Sequence, residues 1–239
     1  MNMKLGWIVP LLCVLLASGC SYRGQVRKNI YQRQAVAPKI SASVLIPTDT
    51  NIPQELFFTD PDDSDFQSFR LETKDGVLFA VSDALGSLFS TVERGRLTEQ
   101  ENYDFVAQVT LESGLTRGTC AGELSKWAVR QEGLCTLVTV TLYRPDTTQV
   151  AGAKAVRWRA FRTPGLASSV RWFNKHTFIF SPLLTPIYMQ TQGSALRKQF
   201  EENLTEILED ITTQLAQQRA LFEDSAQNKM TKTAQNYVE

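Results

Sequence analysis

Two stretches of this chain repeat apolar residues at intervals of three and four. Between Val77 and Arg94 these are Leu78, Val81, Leu85, Leu88 and Val92, with Ala84 and Phe89 widening the face. That spacing predicts an amphipathic helix over 77–94, and Gly95 stands where a helix C-terminus favours glycine. The second stripe is Leu196, Phe200, Leu204, Ile207, Leu208, Ile211 and Leu215, with Glu, Gln and Asn on the other side. It predicts a long closing helix over 194–222, capped by Ser194 and packed on the domain's own sheet. Three further runs alternate with period two: Phe105, Ala107, Val109 and Leu111; Val138, Val140 and Leu142, entered from Cys135; and Val156, Trp158 and Ala160, with Arg157 and Arg159 on the opposite, solvated face. Gly114, Gly118, Gly122, Pro145-Asp146 and Gly152 supply turn chemistry between them, so an antiparallel meander with one solvated face is expected.

The rest is less regular. Ile40 to Ile46 reads as a strand stopped by Pro47. An irregular acidic segment, Asp49 to Asp65, follows, with Phe57-Phe58 pinning it to the core. Phe66 to Thr73 reads as a short strand, and Lys74-Asp75-Gly76 as a turn with Asp75 as a cap for the next helix. Residues 163–193 are apolar and broken by Pro164, Pro182 and Pro186, poor material for a helix or a central strand. They form either a core-covering loop or an exposed contact surface; in the second case Trp172, Phe173, Phe178, Ile179, Phe180, Leu183 and Leu184 would meet a partner protein. The expected architecture is one α+β domain over 40–222, its antiparallel sheet covered on one face by the two helices. A polar tail, 223–239, is expected to be disordered.

The N-terminus has a different logic. Lys4 precedes a mostly apolar run from Trp7 to Ala17, which Pro10 interrupts. It is shorter than the roughly 20 residues a membrane span needs and has the form of a secretory signal. The run closes on Leu15-Leu16-Ala17-Ser18-Gly19-Cys20, which resembles the lipobox of bacterial lipoprotein precursors. The resemblance implies cleavage of residues 1–19, a diacylglycerol on the Cys20 thiol, an acylated (palmitate-type) amine and stable anchoring by two or three chains. Ser21, in place of the Asp that tends to retain such proteins at the inner membrane, implies the outer membrane, with the domain facing the periplasm. Residues 20–39 hold five cations and no anion and are expected to form a lipidated, solvated tether, with contact to anionic headgroups or lipopolysaccharide phosphates as the alternative.

Charge and cysteine usage limit the chemistry. With 25 basic and 25 acidic residues, the chain lacks the basic excess of a nucleic-acid binder. Past the signal, Cys120 and Cys135 form an even pair in an oxidising compartment, and a disulfide is expected; a metal site or two buried thiols are the alternatives. Zinc would need more ligands nearby, and His176 is the one histidine. No nucleophile elbow, phosphate loop or calcium-loop pattern is present, and the acidic group Asp60, Asp62, Asp63 and Asp65 lies in a proline-containing loop. No catalytic residue, cofactor or metal is therefore assigned. The expected function is that of a non-catalytic outer-membrane lipoprotein, an accessory or scaffolding part of an envelope secretion, transport or assembly complex. Two alternatives stand beside it: a lipid- or lipopolysaccharide-binding module using Arg157, Arg159 and Arg162 for phosphate, and an activator of a peptidoglycan-synthesis enzyme reached on the tether.

Overall fold

The computed structural model describes residues 21–31, 38–59, 68–115, 120, 133–160 and 181–224. Their order is β1 (Ser21–Gln25), β2 (Ile40–Pro47), β3 (Glu55–Thr59), β4 (Ser68–Glu72), α1 (Lys74–Leu88), β5 (Phe89–Gly95), a 3-10 turn (Leu97–Asn102), β6 (Phe105–Gly114), β7 (Gly133–Tyr143), β8 (Gln149–Ala160) and α2 (Ser181–Gln217). The fold is α+β. A five-stranded sheet runs β5-β2-β6-β7-β8 and a three-stranded sheet runs β1-β4-β3. The β6-β7-β8 meander is antiparallel as expected. The sheet as a whole is mixed, because β2 pairs in parallel with both β5 and β6.

Central position explains the composition of β2. Val44, Leu45 and Ile46 are all fully buried, as a strand covered on both faces requires. The helical side of the sheet continues through Phe105, Ala107, Val109 and Leu111 to Val138, Val140 and Leu142. Every member of the predicted α2 stripe, from Leu196 to Leu215, is buried in this same core. Beyond Gln217 the chain turns and resumes a helix to 224. There Phe222 is fully buried, edge-on to Phe89 at 5.3 Å and to Phe105 at 5.5 Å between ring centroids.

Several boundaries differ from the sequence reading. The first helix starts at Lys74, so Lys74-Asp75-Gly76 is its opening turn, and Thr73 is the N-cap. It stops at Leu88; Phe89 is already extended, and Ser90, Thr91 and Val92 continue as β5. The β-branched pair Thr91 and Val92 favours a pleated strand once no core-facing helical position remains. Gly95 therefore ends a strand, not a helix. The acidic segment contains β3, in which Phe58 is buried and Phe57 faces out, as alternation in a strand demands. The closing helix begins at Ser181 instead of 194. Pro182 and Pro186 lie near its start, where a missing amide N–H costs few helical bonds. Residues 223 and 224 still belong to the helical extension.

The largest correction concerns residues 21–31, part of the tether expected over 20–39. Ser21–Gln25 is a strand of the three-stranded sheet, and Tyr22, Val26 and Tyr31 are buried in the main core. The sequence pattern concealed this because the inward positions are Tyr22, Gly24 and Val26, while the cations occupy the outward ones.

Candidate functional site

Residues 21–31 are built into the fold by the elements they pass. β1 pairs in parallel with β4, Ser21 opposite Ser68 and Gln25 opposite Glu72. Arg23 bridges Glu72 on the neighbouring strand and Glu55 on the strand beyond, at 2.8 and 3.0 Å. Inward, Tyr22 lies on Gly193 of α2, and the Tyr22 ring also covers Gly24. Val26 lies on Gly76 at the start of α1, where a Cβ would stand 2.7 Å from both the Val26 side chain and its carbonyl oxygen. The missing side chains let these elements approach.

Glu201 on α2 locks the next residue. Its carboxylate accepts from the Arg27 backbone N–H and Nε, both at 3.1 Å, and lies 3.0 Å from Arg27 Nη2. The carboxylate is nearly buried while the Arg27 side chain is 65% exposed, so the cation reaches back over it from the solvent side. Thr205 Oγ1 donates to the Ile30 carbonyl at 3.3 Å. Lys28 and Arg94 both stand over the Phe79 ring, 4.8 and 3.5 Å from its centroid. Nothing in the sequence marked Glu201, Gly193 or Gly76 as contacts of this segment, because their partners lie 50 to more than 170 residues away.

Of the predicted site residues, Cys120 and Cys135 are joined in a disulfide. Cys135 belongs to β7 on the face of the sheet away from the helices, beside Trp158 in the cross-strand register. Arg157 and Arg159 are not on the solvated face. The register aligns Ala151, Ala153, Ala155, Arg157 and Arg159 with the buried Leu142, Val140, Val138, Thr136 and Leu134, so both arginines lie on the helical side. The reason is packing: small alanines let α2 approach the sheet, and the larger Val156 and Trp158 take the other face.

At the edge of α2 the two guanidinium groups meet Glu202, Glu206 and Asp210, successive positions along one helical face. Arg157 bonds Asp210 and lies 3.3 Å from Glu206; Arg159 bonds Glu206 and, at 2.9 Å, Glu202. These arginines hold the helix to the sheet. Arg162, Trp172, Phe173, His176, Phe178, Ile179, Phe180, Cys20 and the four aspartates at 60, 62, 63 and 65 lie outside the described residues. Leu183 and Leu184 fall in the first turns of α2.

Among the described residues, no group of three or more His, Cys, Asp or Glu side chains is placed to hold a metal ion. No helix among them is long and apolar enough to cross a membrane. Neither a protein-family model nor a curated protein matches this chain.

Proposed function

We propose that this chain is a non-catalytic outer-membrane lipoprotein, anchored through Cys20 and working as an accessory or scaffolding component of an envelope complex. One observation supports it above the others. The residue next to the lipobox cysteine, Ser21, already belongs to a strand, and the segment it opens is fixed by Tyr22, Val26, Arg27 and Ile30. An acyl group on Cys20 would then hold the three-stranded sheet directly against the bilayer, without a leash. The outward side of that sheet carries Phe57, 61% exposed, with the Arg70 guanidinium 5.2 Å from its ring centroid. An aromatic ring paired with a cation suits the headgroup region.

This geometry ranks the alternatives. Activation of a distant enzyme on a tether needs slack after Cys20, and β1 takes up that slack. Phosphate binding by Arg157 and Arg159 needs donors that three carboxylates already engage. A scaffold held flush against a membrane needs neither.

The test is metabolic labelling with radioactive palmitate, followed by membrane fractionation. The wild-type chain is expected to take up label and sediment with the outer membrane. Cys20→Ser should lose the label and leave the membrane fraction. Label retained by Cys20→Ser, or absent from the wild type, would overturn the anchor. In-cell crosslinking with mass spectrometry tests the scaffold: one recurrent envelope partner supports it, and crosslinks to none overturn it.

A further inference from the structure

Away from the helices, the five-stranded sheet forms the floor of a recess of about 360 Å³. That is within the range of small-ligand cavities. Its wall is made by the end of β2, the Asp49–Asn51 segment, the 3-10 turn and the β7–β8 turn. Val106 and Tyr143 supply an apolar floor, and Leu97, 44% exposed, forms part of the rim. Amides and a hydroxyl are interleaved with them: Asn51, Gln100, Gln108 and Thr147. Thr50 Oγ1 lies behind this lining, buried and without a hydrogen-bond partner among the described residues. Thr147 holds a φ of 68°, a left-handed conformation that a β-branched residue adopts only under constraint.

We propose that this recess binds a neutral saccharide of one or two rings. The ligand class follows by exclusion and by fit. Apolar carbon makes up much of the lining, but a purely hydrocarbon ligand would leave the amides of Asn51, Gln100 and Gln108 and the Thr147 hydroxyl stripped of water and unpaired. An extended peptide adds to a strand edge, but β6, which lies under the recess, is interior, between β2 and β7. A phosphate ligand needs excess positive charge, whereas Arg144 is balanced by Asp49 among the lining residues. A pyranose presents apolar C–H faces, which suit Tyr143 and Val106. Its hydroxyls both donate and accept, which is what amide side chains do. The inference stands independently of the lipid anchor.

The test is saturation-transfer NMR on the full chain in detergent micelles, with N-acetylglucosamine, its β-1,4-linked dimer, glucose and glycylglycine as probes. At least one sugar is expected to receive saturation, and glycylglycine none. Gln108→Ala removes a polar wall group, and Leu97→Trp fills the mouth from an exposed position. Each should weaken sugar binding by about tenfold or more, the equivalent of one lost hydrogen bond or a blocked contact, with circular dichroism unchanged. The proposal is overturned if no sugar is saturated, if glycylglycine binds as well as the sugars, or if both folded variants bind as the wild type does.

Discussion

Gly193 has no room for a methyl group. A Cβ there would stand 2.1 Å from Tyr22 Cγ and 2.3 Å from Cδ1, so Gly193→Ala must push β1 away from α2. Overpacking of this kind costs about 1–3 kcal/mol, to be read from urea denaturation. In the Tyr22→Ala background the same change should cost far less, since the clashing ring is gone; additive losses would refute the contact as the cause. A second residue-level prediction concerns pH. The Tyr103 hydroxyl donates to Glu93 Oε2 at 2.6 Å. That bond first, then slight desolvation and the charges of Glu93 and Glu99, raises its pKa above the ordinary 10.0. A raised folded pKa means that the contribution is fully present below the unfolded tyrosine value and is lost as pH rises through the folded one. Phenolate absorbance should show Tyr103 ionising later than in Glu93→Ala. At this scale the sequence was legible where residues act through local spacing, as the α2 stripe does. It misled at Arg157 and Arg159, whose face is chosen by the alanines that α2 requires.

The relation of α2 to β8 shows how a helix manages a sheet edge. β8 ends the five-stranded sheet, and an edge strand 12 residues long invites pairing with another chain. Gln214 on α2 and Gln218, in the turn just past its end, answer this with their amides. Gln218 exchanges hydrogen bonds with the N–H and C=O of Gly152 at 3.4 and 3.0 Å, and Gln214 does the same with Lys154 at 3.2 and 3.0 Å. Each glutamine stands in for one residue of a missing strand. The double variant Gln214→Ala/Gln218→Ala is expected to keep its helix content yet sediment as larger species with rising concentration. Sedimentation identical to wild type would show that the helix body alone guards the edge. Elements with one strong period, α1, α2 and the three meander strands, were readable in the sequence. β5, β1 and the start of α2 were not. β5 continues the apolar spacing of α1 without a break, β1 has cations at its outward positions, and α2 opens through two prolines.

For the whole molecule, the disulfide is the clearest covalent constraint. Cys120 and Cys135 are 15 residues apart, and closing a loop of that length is worth roughly 3 kcal/mol in the chain-entropy model. Replacing both by serine should lower the stability by about that amount in chemical denaturation, with the native spectrum retained in buffer. An even pair of cysteines beyond the N-terminal apolar run made the pairing legible. Residues 121–132, like 161–180, lie outside the described residues. The mixed order of the large sheet was not legible, because parallel neighbours are set by crossovers that leave no local pattern.

The docking of Tyr22 on Gly193, of Arg27 on Glu201 and of Ile30 on Thr205 has a consequence for the order of folding. The early residues Tyr22 to Ile30 make contacts that only the last helix can complete. Such sequence-distant contacts are the slow ones, since a long loop must close before they reward it. During synthesis this end of the chain stays unfinished until α2 arrives. A chain stopped at residue 180 should therefore be cleared by proteases even though every strand has been made, which pulse-chase labelling in cells would reveal. The N-terminal strand thus reports that synthesis has been completed: its end of the molecule becomes protease-resistant only when a full-length chain stands behind it.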